Sequence, residues 1–523
     1  MLRLQLKQIL ADAGNRSSIA LIGAFVILLP LLILSVSREV FTYATETDFL
    51  QTFVPEAERI LAGQPLDVSF HLPGFPLILA GVMSLTPDLL TAGLVIAMAA
   101  SITALWVNFK TYQALLGTDY GWVSVLTLWL STPLMILSAS ATSDVYFYLL
   151  FCAALWLGVL VAKQPKASRI AVCLGLLIGI AFLTRSNGLT LFAALLMPFV
   201  TLQSLNRQEI WPRLKTTGLI LGASLIPVLI WLFVSTRYGM PFSPSGTVDN
   251  LAMTYFSTGD GIGLESMEQV RGRFDSVVDV LLHDPAAIIS QYFIDLFNLP
   301  LRVLKTVAFP FSLVAIPGFV LLLLKRNRIF YAVLALFFLP QILLVNLKTF
   351  EPRYYLFLAP LVTLSIYEAV KWSAEALKMP SAKRIYGIAI VACIGFASFA
   401  TIRYAHVYVH AQNHEIGSLI ERTQSLDLDG HVLVSRKIQS AYYTGTDHSL
   451  LLGADNLETL FTSLAGIQSR TGQEVLFYYG GMEHWKWPDL LNREAPETAP
   501  SWLTVLACSE DPDHGWCLYR FTP

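Results

Sequence analysis

The chain has 523 residues, of which 55% are apolar and only 14% charged, and its mean hydropathy is +0.59. Soluble domains carry roughly a quarter of their residues charged, so this composition excludes an ordinary soluble globule and describes an α-helical polytopic membrane protein. A formal net charge of -2, without a basic arm, zinc-ligand spacing or arginine-rich tract, argues against a nucleic-acid partner.

Residues 1–18 carry Arg3, Lys7 and Arg16 and read as a short amphipathic lead-in on the cytoplasmic side. The apolar run 19–36 is long enough to span and lacks a small-residue cleavage signature, so it is expected to be a retained signal anchor. Next comes an acidic loop with Glu46, Asp48, Glu56, Glu58 and Asp67. Within it PEAERILAGQ predicts a helix lying at the membrane surface, with Val54, Ala57, Ile60 and Leu61 on one face, Pro55 in its first turn and Gly63 at its end. The run 74–86, stopped by Pro87, is too short to cross upright and predicts a re-entrant or interfacial helix.

Further spans are predicted near 88–108, 121–140, 145–162, 170–185, 187–203, 216–236, 308–324, 329–347, 354–370 and 385–404, about eleven in all. About seventeen Lys and Arg residues, from Arg3 to Arg384, fall in short loops on the N-terminal side of this alternation. The positive-inside rule then puts the N-terminus inside and, with an odd count of spans, the C-terminus outside. The long segments 37–73, 237–307 and 405–523 all fall outside, and the chain divides into a membrane domain, 1–404, and a soluble domain, 405–523. Short helices are expected around 264–282 and 285–298.

The tail predicts a small α/β domain: strands in HVLVS and EVLFYYG, a helix in NLETLFTSLAGIQ, and a closing hairpin from WLTVLAC and WCLYRF. Cys152, Cys173 and Cys393 lie in apolar runs as inert thiols. Cys508 and Cys517 flank the turn-rich SEDPDHGW and are placed for a hairpin disulfide, which requires an oxidising compartment.

This topology carries polar groups from distant segments to one level of the membrane. Glu46 and Asp48 follow the first span, Asp144 opens the fourth, and Arg185 stands where the fifth turns into the sixth. Lys348, Glu351, Arg353 and Tyr354 stand at the start of the tenth. Arginine forks suit phosphate oxygens and a developing leaving-group charge, and a carboxylate beside them suits a general base. Plainer roles remain open for each: Arg185 snorkelling to the interface, Arg353 pairing with Glu351 or with headgroups, Asp144 capping its helix. Glu46 and Asp48 are compatible with a divalent metal, but two carboxylates give it thin support, and no metal site or cofactor is assigned.

Four segments, TDFLQTFVPEAERILAGQPL with HLPGFPLILA, SDVYFYLLFCAALW, GLLIGIAFLTRSNGL and EPRYYLFLAPLV, give the chain a resemblance over residues 19–404. In their order and shared membrane side they resemble the polytopic GT-C glycosyltransferases, in particular the bacterial branch of protein O-mannosyltransferases and lipid A aminoarabinose transferases. The resemblance implies Asp48 as catalytic base with Glu46 as an auxiliary acid, and Arg353, Arg185 and Lys348 around a donor phosphate. It places His71 and Asp144 on the pocket wall, with Tyr354 and Glu351 beside Arg353. It implies a polyprenyl-phosphate sugar donor, inverting displacement onto a lipid, glycan or protein acceptor, and a multi-pass location in the inner (plasma) membrane with its catalytic side extracytoplasmic. First-loop spacing and the tail depart from both named branches. Two other readings stand beside it: a transporter or flippase of lipid-linked sugars, for which no internal repeat is found, and a non-catalytic membrane assembly factor.

Overall fold

A computed structural model describes residues 48–66, 71–86, 88–117, 123–204, 206–240, 246–256, 273–304, 311–325, 327–347, 352–376, 414–451 and 456–511, then 515–523, with a few isolated positions between them. The first predicted span, almost all of 385–404, and Glu46, Asp67, Lys348 and Glu351 lie outside the described residues.

Asp48 opens the described chain and leads into a π-helical turn, Phe49–Phe53, continued by α1, Val54–Leu61. This is the predicted surface helix, with Pro55 in its first turn, and it buries Val54 and Ala57. The short helix α2, Gly74–Met83, follows. Helix α3, Leu89–Leu116, starts where Asp88 accepts a hydrogen bond from the Thr91 amide at 2.6 Å. The expected single span 121–140 is instead two pieces, α4 (Val123–Leu130) and α5 (Thr132–Ser138). Ser131 breaks the run by capping α5, and Pro133 in the first turn has no amide to donate backward.

Helix α6, Ser143–Lys163, and α7, Ser168–Thr184, come next. The segment predicted as a span at 187–203 is a 3-10 helix, Ser186–Phe199. Helix α8, Arg207–Arg237, starts nine residues before its predicted span, because Asn206 caps it by accepting from the Glu209 amide at 2.9 Å. A helix not expected from the sequence, α9 (Gly246–Phe256), precedes α10 (Val277–His283), which falls within the expected 264–282, and α11 (Pro285–Leu304), which covers the expected 285–298, with a 95° bend between the last two. Helices α12 (Phe311–Leu324), α13 (Arg328–Val345), a 3-10 helix Pro352–Leu358 and α14 (Ala359–Ala376) complete this part.

Among the described residues four helices, α3, α6, α8 and α13, are long and apolar enough to cross a membrane, or five if the bent α10–α11 pair is one span. Helices in lipid gain little from apolar contact alone, so small residues set how closely they approach. At the α7–α8 crossing, a Cβ on Gly175 would stand 2.2 Å from the Ile220 carbonyl oxygen, and one on Gly179 would stand 2.4 Å from that of Ser224. That contact seats the end of α7, and with it Arg185.

Polar residues separate by end. At the α3 C-terminus Lys163 donates to the Ala114 carbonyl, Asn327 to the Leu115 carbonyl at 2.6 Å, and Lys325 pairs with Glu368 at 2.9 Å. Asp48, Asp144 and Arg185 collect at the other end, where Gly93 of α3 lies against Phe49 and Ala141.

The tail forms a five-stranded sheet in the order β2-β1-β3-β5-β4. Strands β1 (Val432–Ser435), β2 (Asp447–Leu450) and β3 (Val475–Tyr479) run parallel; β4 (Leu503–Cys508) and β5 (Cys517–Phe521) close it antiparallel, with Cys508 and Cys517 paired in a disulfide. Helix α15 (Gln439–Thr444) links β1 to β2, α16 (Leu457–Thr471) leads to β3, and α17 (Gly481–Lys486) follows it. Apolar side chains pack on both faces, Leu460, Leu464 and Ile467 of α16 on one, Ile416, Leu419 and Trp516 on the other. The sheet-bearing tail rests on the Asp48 end of the helices, where Ile438 and Tyr443 pack against the cluster of Phe49, Phe53, Val54 and Phe75.

Candidate active site

Four separate segments build the site. The π turn fixes Asp48: Thr52 donates to its carbonyl at 2.6 Å, and Phe49, Leu50 and Phe53 are buried behind it. The Asp48 carboxylate is left 53% exposed. Asp144, at the start of α6, is 6% exposed. The cap of α6 is Thr142 rather than Asp144: Thr142 accepts from the Asp144 amide at 3.3 Å and donates to the Asp144 carboxylate at 2.9 Å. Freed from capping, Asp144 takes the Arg185 guanidinium at 2.6 Å, and the same Nη1 donates to Ser143 at 3.0 Å. Arg185 is therefore held by α6 and is not a snorkelling end residue.

Arg353, on the second 3-10 helix, places Nη1 3.9 Å from Asp48 and 4.0 Å from Asp144, so one guanidinium nitrogen stands between the two carboxylates. Tyr354 lies under both arginines, its ring centroid 5.5 Å from the Arg185 guanidinium carbon and 5.2 Å from that of Arg353. An aromatic face favours cations while leaving their outward N–H groups for other acceptors. His71 stacks obliquely on Phe53 with ring centroids 4.5 Å apart.

Protein packed around the half-open Asp48 side chain pushes its carboxyl up, but the opposing charge of Arg353, with smaller contributions from His71, Lys437 and Arg185, outweighs it and holds the group below the usual carboxylate range. Burial pushes the His71 imidazole down to about 4 despite Asp48 and Asp144 nearby, leaving it neutral at physiological pH. Behind the arginines Asp144, Tyr148, Asn187, Gln341, Arg353 and Phe357 line a cavity of about 20 Å³, room for a water or so. A larger hollow, about 840 Å³, lies in the soluble domain beside His484, Asp489 and Arg493, apart from these groups. Among the described residues no three His, Cys, Asp or Glu side chains converge to hold a metal ion.

The structure thus brings together Asp48, His71, Asp144, Arg185, Arg353 and Tyr354, six residues singled out from the sequence. Sequence reasoning missed Thr142 and Ser143, the buried Asn187 and Gln341, and Lys437 of the tail. A buried Gln341 in an otherwise apolar helix was a visible signal.

This fold, a long helical part with a small sheet domain at one end, has counterparts among solved structures. The chain is similar to ArnT from Cupriavidus metallidurans in the apo state, with TM-score 0.57 and 11% identity over 97% of this chain and 98% of that one. The same enzyme bound to undecaprenyl phosphate gives 0.54 at 11% identity, covering 96% and 98%. The archaeal oligosaccharyltransferase AglB from Archaeoglobus fulgidus, in complex with an inhibitory peptide and a dolichol-phosphate, gives 0.52 at 11% identity, covering 87% of this chain and 69% of that one. By sequence, the family model for dolichyl-phosphate-mannose-protein mannosyltransferases matches residues 70–231, while no curated protein matches. The match to ArnT spans 97% of the chain and so extends into the tail.

Proposed function

We propose that the chain is a membrane glycosyltransferase that moves a sugar from a polyprenyl-phosphate donor to a lipid, glycan or protein acceptor. The observation that carries this reading is the juxtaposition, at one end of the helices, of the ionised Asp48 with the arginine pair Arg185 and Arg353. The donor phosphate comes up from the bilayer to the arginines, displacing water from beside Tyr354. The acceptor hydroxyl enters from the aqueous side against Asp48. Its oxygen attacks the anomeric carbon from the face opposite the phosphate and inverts the configuration. The bond from that carbon to the phosphate oxygen breaks, the electron pair leaves with the polyprenyl phosphate, and the hydroxyl proton passes to Asp48. A carboxylate held this low is a weak base, so it takes the proton late, once attack has made the hydroxyl acidic. The leaving phosphate gains a negative charge, which Arg353 and Arg185 neutralise without rearranging, because Asp144 and Tyr354 already hold them.

The site faces the extracytoplasmic side of the inner membrane in this reading, supported by the basic loops at the other end and by the Cys508–Cys517 disulfide. Glu46, Lys348 and Glu351 flank the site in sequence and keep the auxiliary roles that the resemblance implies. The test is binding of undecaprenyl phosphate to the full chain in lipid nanodiscs. Affinity is expected to fall at least tenfold in Arg353→Ala; unchanged affinity would return Arg353 to a headgroup anchor.

A further inference from the structure

A second polar cluster lies at the end of the helices opposite Asp48. Tyr120, just beyond α3, and Glu368, on α14, are both buried there. The Tyr120 hydroxyl donates to one Glu368 oxygen at 2.7 Å, and Lys325 pairs with the other at 2.9 Å. Lys325 also donates to the Tyr120 oxygen at 2.6 Å, and Lys371 reaches the same oxygen at 3.4 Å. Both ammonium nitrogens stand 5.0 Å from the centroid of the Tyr120 ring. Two ammoniums thus share one phenol and one carboxylate.

Packing fixes this arrangement from three sides. A Cβ on Gly318 would stand 1.7 Å from the Ser365 carbonyl oxygen, so α12 and α14 meet backbone to backbone, two turns before Lys325 and one before Glu368. Asn327 donates to the Leu115 carbonyl at 2.6 Å and ties the turn after α12 to the end of α3. The Tyr120 amide donates to the Gly117 carbonyl at 3.2 Å, which holds the phenol just past that end. Leu324 and Trp372, the chain neighbours of Lys325 and Lys371, are exposed. A leucine and a tryptophan turned outward beside lysines mark the level where acyl chains give way to headgroups.

Charge decides what this cluster takes. The Tyr120 hydroxyl is fully engaged, its hydrogen given to Glu368 and both lone pairs turned to lysines. Lys325 has a carboxylate; Lys371 has the shared phenol at the long limit of a hydrogen bond and, among the described residues, no ion pair. Glu375, one turn beyond Lys371, is exposed and pairs with neither lysine among the described residues. No acidic residue occurs between Asp295 and Glu351, so α12, α13 and the turn joining them bring only cations, with Arg328 exposed at the start of α13. Basic pockets between helix ends at a membrane face suit anionic headgroups. We propose that Lys371, with Lys325 and Tyr120 behind it, binds the phosphate of an anionic membrane lipid at this end of the helices. The phosphate oxygens accept the Lys371 N–H groups that the phenol leaves over, and the acyl chains lie along Leu324 and Trp372. The site is separate from Asp48 and its arginines and needs only that this end of the helices meet a membrane face, so it stands or falls independently of the transferase reading.

The experiment titrates phosphatidylglycerol onto the full chain in detergent and counts bound lipid by native mass spectrometry, with zwitterionic phosphatidylcholine as the control lipid. It compares the parent with Lys371→Gln, Lys371→Arg and Lys166→Gln; Lys166 is an exposed base at the same end, outside the cluster. The parent is expected to bind phosphatidylglycerol more tightly than phosphatidylcholine, and Lys371→Gln to bind phosphatidylglycerol about fivefold more weakly than the parent, the effect of one lysine beside an anionic lipid. Its melting temperature without added lipid should match that of the parent. Lys371→Arg should stay within about twofold of the parent, because it keeps the charge, and Lys166→Gln should bind like the parent. Equal affinity of the parent for the two lipids overturns the proposal, as does parent-like binding by Lys371→Gln. If Lys371→Arg binds as weakly as Lys371→Gln, charge is not what the lipid reads and the proposal falls. Equal losses in Lys166→Gln and Lys371→Gln would make the attraction diffuse and remove the site. If inorganic phosphate alone raises the melting temperature of the parent as much as phosphatidylglycerol does, and Lys371→Gln abolishes both effects, the ligand is free phosphate and the lipid assignment falls.

Discussion

Replacing Asp144 with asparagine should move stability and phosphate affinity in opposite directions. The substitution keeps the shape of the side chain and an acceptor for Thr142, and removes only the charge that faces two guanidiniums. Breaking a buried ion pair costs about 3–5 kcal/mol. Arg185 is 22% exposed and regains some hydration, which lowers the expected loss to roughly 2 kcal/mol. Meanwhile an anion that competes with the phosphate is gone. Two unit charges about 4 Å apart interact by about 4 kcal/mol at an effective dielectric of 20. Solvent at the half-open Asp48 side screens most of that, leaving roughly 1 kcal/mol, or about fivefold tighter undecaprenyl phosphate binding. Sugar transfer should nonetheless drop at least tenfold, because the arginines are no longer held where charge develops. Thermal melting and probe binding in nanodiscs, with transfer measured on the same samples, check all three. Weaker phosphate binding in Asp144→Asn would refute the idea that Asp144 is a counter-charge that orients the arginines.

The titrating groups set two further expectations. Asp48 is held below the usual carboxylate range and His71 is pushed down to about 4, so both keep one charge state above about pH 5. Transfer measured as kcat/KM should therefore be flat with respect to these groups from pH 5.5 to 8. An apparent pKa between 6 and 7 that disappears in His71→Gln would contradict this. In the soluble domain burial pushes Glu483 up to about 7. Its folded value lies above its unfolded one, so the folded state binds the extra proton and stability declines as pH rises from about 4.5 to about 7, by roughly 3 kcal/mol in total. Amide exchange in β1 and β3 of the full chain should accelerate across that window, and Glu483→Gln should flatten the trend.

The candidate site was legible in the sequence where a charge interrupts an apolar run. Arg185 and Arg353 each stand at an end of a long hydrophobic stretch, where a charge must face water, a partner or a substrate, and Asp48 stands in the acidic loop after the first such stretch. The partner relations were not legible. Asp144 fits a helix cap by local pattern, and only the packing of α6 against α7 shows that Thr142 caps while Asp144 binds Arg185. Helix boundaries failed where local chemistry overrode hydropathy. Ser131 and Pro133 carried a start signal inside an apolar run, and Asn206 with Glu209 carried another before one. Lys437 was beyond reach, because its relation to Asp48 depends on a docking contact nearly four hundred residues away along the chain, and no periodicity records such a contact.

The central claim is that Asp48 takes the proton of the attacking hydroxyl. It is tested most directly by single-turnover transfer from a radiolabelled polyprenyl-phosphate sugar to envelope acceptors, comparing the parent chain with Asp48→Asn in nanodiscs. The account predicts a loss of at least a thousandfold in the transfer rate, with undecaprenyl phosphate still bound and the melting temperature within a few degrees of the parent. Transfer at the parent rate by Asp48→Asn would contradict it.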